Sequence, residues 1–475
     1  MPLSSARAIA FEILDRVETR GAYAADALHG RLARAKSGSR RAAPEPSRRG
    51  RAPAAIERKD AALATELVFG VLRWQRVLDF FIARQARRPA EGLDPAVRRA
   101  LRLGAYQLLF LNRIPPSAAV NESVELTKHA GVRSAASLVN AVLRRLPRGP
   151  FRPDEFERSL PSDLGDAERL AVAYSHPTWL VSRWLGEFGR ERVRSLLEAN
   201  NRPVPVACAV LEEDQTETVA ASLREDGLEA APGRLLRSAL LFRGGSVGET
   251  AAFREGWIAL QDEASQLVAW LLGVEKGNSV LDLCAAPGNK TLRLAREAGA
   301  AARVVAADLH GHRLLAVRGQ LERTATPGVA LVALDAAKSL PFAAPFDRIL
   351  VDAPCSGTGT LARNPEIRWR LAPEDIEDLP RRQEGILRRG LDALAAGGRL
   401  VYATCSLEPE ENERVVRRVI GERSDIRFAG PPESLAVRLA PGFDPRSLFD
   451  QEGFFRAFPP DTATDGFFAA ILEKL

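Results

Sequence analysis

At 475 residues with a net charge of +6 and 46% hydrophobic content, the chain is globular in composition and too long for one ordinary core; length alone predicts about three domains. No run of eighteen apolar residues occurs, and Arg7 and Glu12 interrupt the amino terminus where a signal peptide would be apolar, so a soluble cytoplasmic protein with no membrane association is expected. Four cysteines without a Cys-x-x-Cys pair argue against both a disulfide framework and a metal site.

The charge is unevenly spread. Residues 1–150 hold 27 Lys/Arg against 13 Asp/Glu, a balance of +14, and the remainder carries −8. A field of that sign concentrates a phosphate-bearing partner around the first third of the chain.

Residues 5–146 read as all-helical. Ala10, Ile13, Leu14 and Val17 follow helical spacing; Leu63, Leu67, Val71, Trp74, Leu78 and Ile82 continue one apolar stripe; Val97, Leu101, Ala105 and Leu108 make another. Asp94-Pro95 supplies an N-cap with proline at the first helical position, and Pro115-Pro116 precedes a further helix from Ser117 to His129. Between residues 31 and 53, eight basic residues and one acid without apolar periodicity read as a disordered insertion. A helical bundle over 1–146 is expected, then a Pro/Gly-rich linker over 147–176.

Residues 177–255 read as a small α+β module containing the apolar run Val206-Ala207-Cys208-Ala209-Val210. From 256 to 475 strands and helices alternate, with strands near 279–283, 303–307, 329–334, 347–351 and 399–404. That order predicts a Rossmann-like α/β domain with a doubly wound parallel sheet.

The chemistry concentrates at the ends of those strands, where open α/β sheets bind ligands. Val280-Leu281-Asp282 runs into the turn Cys284-Ala285-Ala286-Pro287-Gly288-Asn289-Lys290, which lacks the G-x-G-x-x-G pattern of a pyrophosphate site. Asp308 ends the second strand, where a carboxylate can accept both hydroxyls of a ribose, and Asp335 follows the third, where it can read an adenine amino group. An adenosine without phosphates points to S-adenosylmethionine.

Two further strands end in Asp352-Ala353-Pro354-Cys355-Ser356-Gly357 and Thr404-Cys405-Ser406, bringing two thiols and a carboxylate to one crevice. Carbon 5 of cytosine is a poor nucleophile until a thiolate adds at carbon 6, so a pair of thiols suits covalent activation of a pyrimidine. Lys290 would favour the thiolate, Asp352 would hydrogen-bond the ring, and the second thiol would assist release. Cys208 and Cys284, flanked by apolar strands, read as small buried hydrophobes.

Gln261-Asp262-Glu263-Ala264-Ser265, the 284–290 loop, the Asp352–Gly357 stretch and Thr404-Cys405-Ser406 together resemble the successive motifs of RNA cytosine-C5 methyltransferases. Residues 57–70, 102–109 and 120–124 resemble the NusB-type RNA-binding domain. The combination is that of the bacterial 16S ribosomal RNA cytosine-C5 methyltransferase B family, over nearly the whole chain. The resemblance implies that Cys405 is the nucleophile and that Cys355 promotes product release, with Asp352 and Lys290 beside them. It implies S-adenosylmethionine binding by Cys284, Ala285, Ala286, Pro287, Gly288, Asn289, Lys290, Asp308, Arg313, Asp335 and Asp352. The partner would be 16S ribosomal RNA, free or in an assembling small subunit, bound by a monomer without metal. Where the family has Gly-Gly-Lys this chain has Gly288-Asn289-Lys290, and asparagine is among the few residues that tolerate positive φ. Two other readings compete: a non-catalytic RNA-binding or antitermination factor with an idle core, and a methyltransferase acting on another RNA such as tRNA.

Overall fold

The computed structural model describes residues 3–37, 56–242 and 244–475. Its contacts divide into two units, one of residues 1–202 with 361–370, the other of residues 203–360 with 371–475.

The first unit is helical. Ser5–Arg20, Arg58–Ala86, Pro95–Phe110, Pro116–His129 and Ala136–Arg144 bury the expected stripes in one core; Ile13, Leu67, Leu78 and Leu101 are fully enclosed. The Asp94 carboxylate accepts from the backbone N–H groups of Ala96 and Val97, capping its helix as the sequence predicts. Trp74, on the long stripe, has non-helical φ and ψ and kinks that helix.

Two expectations change here. Residues 31–37 of the basic insertion continue the helix Ala24–Ser37, and from residue 38 that insertion lies outside the described residues. The stretch 147–176 is no bare linker, since it holds the helices Pro153–Ser159 and Asp166–Ala173, which bury Leu160, Leu170, Val172 and Tyr174. Its prolines sit at helix starts or between helices, where they punctuate without preventing helix formation.

In the second unit, β1 (Val206–Val210), β2 (Ala230–Pro232), β3 (Ala239–Phe242) and β4 (Ile258–Leu260) form an antiparallel sheet of order β2-β3-β1-β4. Helix Thr216–Glu225 covers it through Val219 and Leu223. The sheet therefore runs past the boundary read at 255, because β4 pairs with β1. Helices Thr178–Phe188 and Arg190–Asn201, assigned to that module from the sequence, fall in the helical unit instead.

The large sheet contains β5 (Val280–Asp282), β6 (Val304–Asp308), β7 (Val329–Ala333), β8 (Phe346–Asp352), β9 (Leu394–Thr404), β10 (Ile426–Phe428), β11 (Phe455–Ala457) and β12 (Phe467–Lys474). Its order is β10-β12-β9-β8-β5-β6-β7, with β11 paired to β12. Strands β5 to β9 are parallel as expected, whereas β12 runs antiparallel to β9, so the sheet is mixed. Alternate residues serve opposite faces. Val280, Leu350, Val401 and Ala403 join one core, and Leu281, Ile349, Val351, Leu400 and Tyr402 the other. The chain proceeds from β5 outward to β7 and then resumes at β8 on the other side of β5, which makes the carboxyl ends of β5 and β8 the switch point where such sheets hold ligands.

Candidate active site

Asp282, Asp308, Asp352 and Thr404 close β5, β6, β8 and β9 at that edge. Lys290, in the first turn of helix Asn289–Ala298, donates to Asp352 Oδ2 at 2.7 Å, joining the turn after β5 to the end of β8. Its Nζ also lies 5.1 Å from the Phe467 ring centroid. The ammonium is thus engaged by the carboxylate, whereas the sequence reading had it favouring a thiolate.

The turn is built on a left-handed glycine, Gly288, at φ 108 with Val317 packed against its Cα. Asn289 does not take the positive φ expected of it. It opens the helix, its amide donating to Leu260 O at 2.8 Å and accepting from Gln320 Nε2 at 2.6 Å. Asparagine in place of a second glycine thus ties the loop down.

Asp308 is 3% exposed, accepts from the His310 N–H at 3.0 Å and pairs with Arg313 at 3.2 Å; Arg313 also reaches Ala286 O at 3.3 Å. Asp335, half-buried, accepts from the Ala337 N–H at 3.1 Å and sits 3.5 Å from the Lys338 ammonium. This donor set suits S-adenosylmethionine, because Asp308 and Asp335 offer carboxylate acceptors of the kind that ribose hydroxyls and an adenine amino group need. Cys284 is half-buried, and burial raises its thiol pKa, with Asp282 adding to the effect.

Asp282 was not singled out from the sequence, although a carboxylate inside an apolar strand is itself a signal. It is 1% exposed, Oδ2 accepts from Thr291 at 2.7 Å, and Oδ1 has no partner among the described residues. Burial pushes it up to about 7, against the Thr291 hydrogen bond and with help from Asp352.

The two thiols meet. Cys355 Sγ and Cys405 Sγ are 3.3 Å apart, each just beyond the end of one of two hydrogen-bonded parallel strands. The hydrogen bond to Cys405, then burial, raises the Cys355 pKa well above that of an ordinary thiol. Behind the thiols the two loops are laced together. Gly359 N–H donates to Cys405 O at 2.9 Å, Leu407 N–H to Thr358 Oγ1 at 2.9 Å, and the Ser356 and Ser406 hydroxyls are 3.0 Å apart. A Cβ at Gly359 would lie 2.3 Å from Gly466 O, so the backbone approach demands glycine. Glu411, also missed from sequence because it stands in the acidic run Glu408-Pro409-Glu410-Glu411, accepts from both serines. Cys208, by contrast, is in the small sheet's core, its thiol pushed up to about 12 by burial.

A mixed Rossmann-like sheet with carboxylates gathered at its switch point, in a chain that also carries a NusB-type helical body, defines a methyltransferase that uses S-adenosylmethionine and carries an RNA-binding domain. Family models agree along the chain: "NusB family" matches residues 4–148, "Methyltr_RsmF/B-like, ferredoxin-like domain" matches 176–246, and "16S rRNA methyltransferase RsmB/F" matches 269–473. A probable ribosomal RNA small subunit methyltransferase B of Bacillus subtilis strain 168 is 33% identical over 420 residues, 88% of this chain and 91% of its own. The ribosomal RNA small subunit methyltransferase B of Escherichia coli O157:H7 strain EC4115 is 34% identical, covering 85% and 91%. Among solved structures, a methyltransferase homologue from Pyrococcus horikoshii superposes with TM-score 0.55 at 27% identity, over 66% of this chain and all (100%) of that one. The chain belongs to the ribosomal RNA small subunit methyltransferase B family.

Proposed function

We propose that the protein methylates carbon 5 of a cytosine in 16S ribosomal RNA, in the cytoplasm, through a covalent adduct to Cys405. The observation that carries this reading is the 3.3 Å separation of Cys355 and Cys405 beside the Lys290–Asp352 pair. A methyltransferase acting on an oxygen or an exocyclic nitrogen has no use for two apposed thiols. A pyrimidine carbon does, because its ring must first be made electron-rich.

Cys405 Sγ adds to carbon 6, and electron density moves through the ring toward carbon 5 and nitrogen 3. Asp352, held by Lys290, offers its carboxylate to the exocyclic amine of the same ring and so orients it. The 284–290 loop with Asp308, Arg313 and Asp335 would hold S-adenosylmethionine, which when bound would supply the methyl group to carbon 5 and leave as S-adenosylhomocysteine. Carbon 5 then gives its proton to solvent water, the electron pair left behind reforms the carbon 5–carbon 6 double bond, and Cys405 departs as the thiolate that attacked. Cys355, with its raised pKa, keeps its proton and can hydrogen-bond the departing sulfur. The target base must leave its stack, at a cost of about a few kcal/mol that single-stranded or loop RNA lessens.

The test is methyl transfer from tritium-labelled S-adenosylmethionine to unmodified 16S RNA by wild type, Cys405→Ala and Cys355→Ala, each also run on a denaturing gel. Loss of transfer in Cys405→Ala together with a trapped protein–RNA adduct in Cys355→Ala is expected. Transfer that survives in Cys405→Ala would overturn the nucleophile assignment.

A further inference from the structure

Each thiol is followed in sequence by a serine, and both serines converge on one buried carboxylate. Glu411 is 0% exposed. Its Oε1 accepts from the Ser356 backbone N–H at 2.9 Å and from Gln383 Nε2 at 2.9 Å; its Oε2 accepts from the Ser406 hydroxyl at 2.5 Å and from the Ser356 hydroxyl. Gln383 also donates to Pro354 O at 2.9 Å, the residue before Cys355. Glu411 is itself held by its backbone, whose carbonyl accepts from Tyr402 OH at 2.6 Å, and Tyr402 lies on the strand that leads to Cys405. One side chain thus grips the residue after each thiol, while its helper amide grips the residue before one of them.

That arrangement acts on the distance between the thiols. Parallel strands fix the spacing of Asp352 and Ala403, which are in register, but Cys355 and Cys405 lie beyond the last strand pairing. Past that point the loops are joined by the Gly359 N–H to Cys405 O bond and by side-chain links, among which carboxylate hydrogen bonds are the strong ones. We propose that Glu411 is a positioning residue that sets the geometry of the Cys355–Cys405 pair through Ser356, Ser406 and Gln383. The proposal rests on the roles given above to the two cysteines.

Substitutions separate this role from bulk support of the fold. In Glu411→Gln the amide oxygen can still accept from Ser356 N–H and Gln383, and the amide NH2 can donate to the two hydroxyls, which turn to accept. In Glu411→Ala all four donors lose their acceptor. The full-length variants would be compared for kcat and KM with 16S RNA, for S-adenosylmethionine affinity, and for the rate at which diamide joins Cys355 to Cys405. Diamide is the oxidant in that reaction, taking up two electrons and two protons as the two thiols become one disulfide. Glu411→Ala should lose about 100-fold in kcat, as expected for loss of positioning at a reacting group. Its KM and cofactor affinity should stay within about twofold, and diamide cross-linking should slow at least about tenfold. Glu411→Gln should recover to within about tenfold of wild type in both kcat and cross-linking.

Wild-type cross-linking in Glu411→Ala would overturn the proposal, and so would a loss of cofactor affinity that parallels the loss of kcat. Equal defects in Glu411→Gln and Glu411→Ala would overturn it as well. If wild type itself fails to methylate 16S RNA, the functional reading falls, and the cross-linking rates still decide whether Glu411 positions the thiols.

Discussion

Replacing Asp282 with asparagine should change the pH dependence of the catalytic sheet's stability in a calculable way. Asp282 lies at the end of β5 with one oxygen unpartnered, and burial pushes it up to about 7 from an ordinary 3.8. The folded protein therefore binds this proton more tightly than the unfolded chain does, so the group disfavours folding increasingly as pH rises from about 4 to about 7, and the penalty is flat above that. At about 1.4 kcal/mol per pH unit inside the window, the penalty grows by about 2.5 kcal/mol between pH 5 and pH 8. Asp282→Asn keeps the shape and an acceptor for Thr291 but has no proton to lose. Hydrogen exchange of the peptide spanning β5, compared between wild type and variant at the same pH, reads the difference directly. The variant should become progressively more protected than wild type from pH 5 to pH 7, with little further change at pH 8. A difference that is constant across that range, or that shrinks as pH rises, would refute the argument that burial of this carboxyl controls it.

Two further outcomes are expected. Arg368, 0% exposed, donates to Ser175 O at 3.1 Å, Asn200 O at 3.1 Å and Asn201 Oδ1 at 2.9 Å with no carboxylate among these partners. Arg368→Met removes the donor from these three acceptors and from Arg73 O and Leu361 O, but also removes a buried charge, so a net destabilisation of about 2 kcal/mol is expected, seen as roughly 30-fold faster amide exchange in helix Arg190–Asn201; unchanged exchange would contradict this. Native-state alkylation with iodoacetamide at pH 8 should modify Cys405 and spare Cys208, whose thiol is enclosed in the small sheet's core and pushed up to about 12, until the chain is unfolded. Mass spectrometry of the two peptides checks it, and a Cys208 adduct in the folded protein would count against the enclosure.

Local pattern made much of this legible. The apolar stripes of the helical body, the N-cap at Asp94 and the parallel strands β5 to β9 all rest on periodicity within one element, which the sequence displays. The meeting of Cys355 and Cys405 was readable because each follows a strand and strand ends converge. What escaped depends on pairing across distance. Nothing in Phe467–Lys474 announces that it will lie antiparallel to β9, and Ile258–Leu260 joins the small sheet only through its bonds to β1. Glu411 looks like one member of a solvated acidic run until the fold turns it inward onto two serines. Pro153 and Gly165 punctuate residues 147–176 as a linker would be punctuated, yet Leu160, Leu170 and Val172 around them are buried.

The helical unit takes in residues 361–370 as well as 1–202. During synthesis, then, its helices leave the ribosome about 160 residues before the piece that carries Arg368 and Trp369, an interval of roughly 8 to 30 s at about 5–20 residues per second. For that time the carbonyls of Leu72, Ser175 and Asn200 lack the donors they end up with. A gene cut after codon 202 would make the waiting state permanent, so an expressed amino-terminal fragment reports on a body missing its own keystone. Dissecting this protein calls for a transplanted segment as well as a truncation.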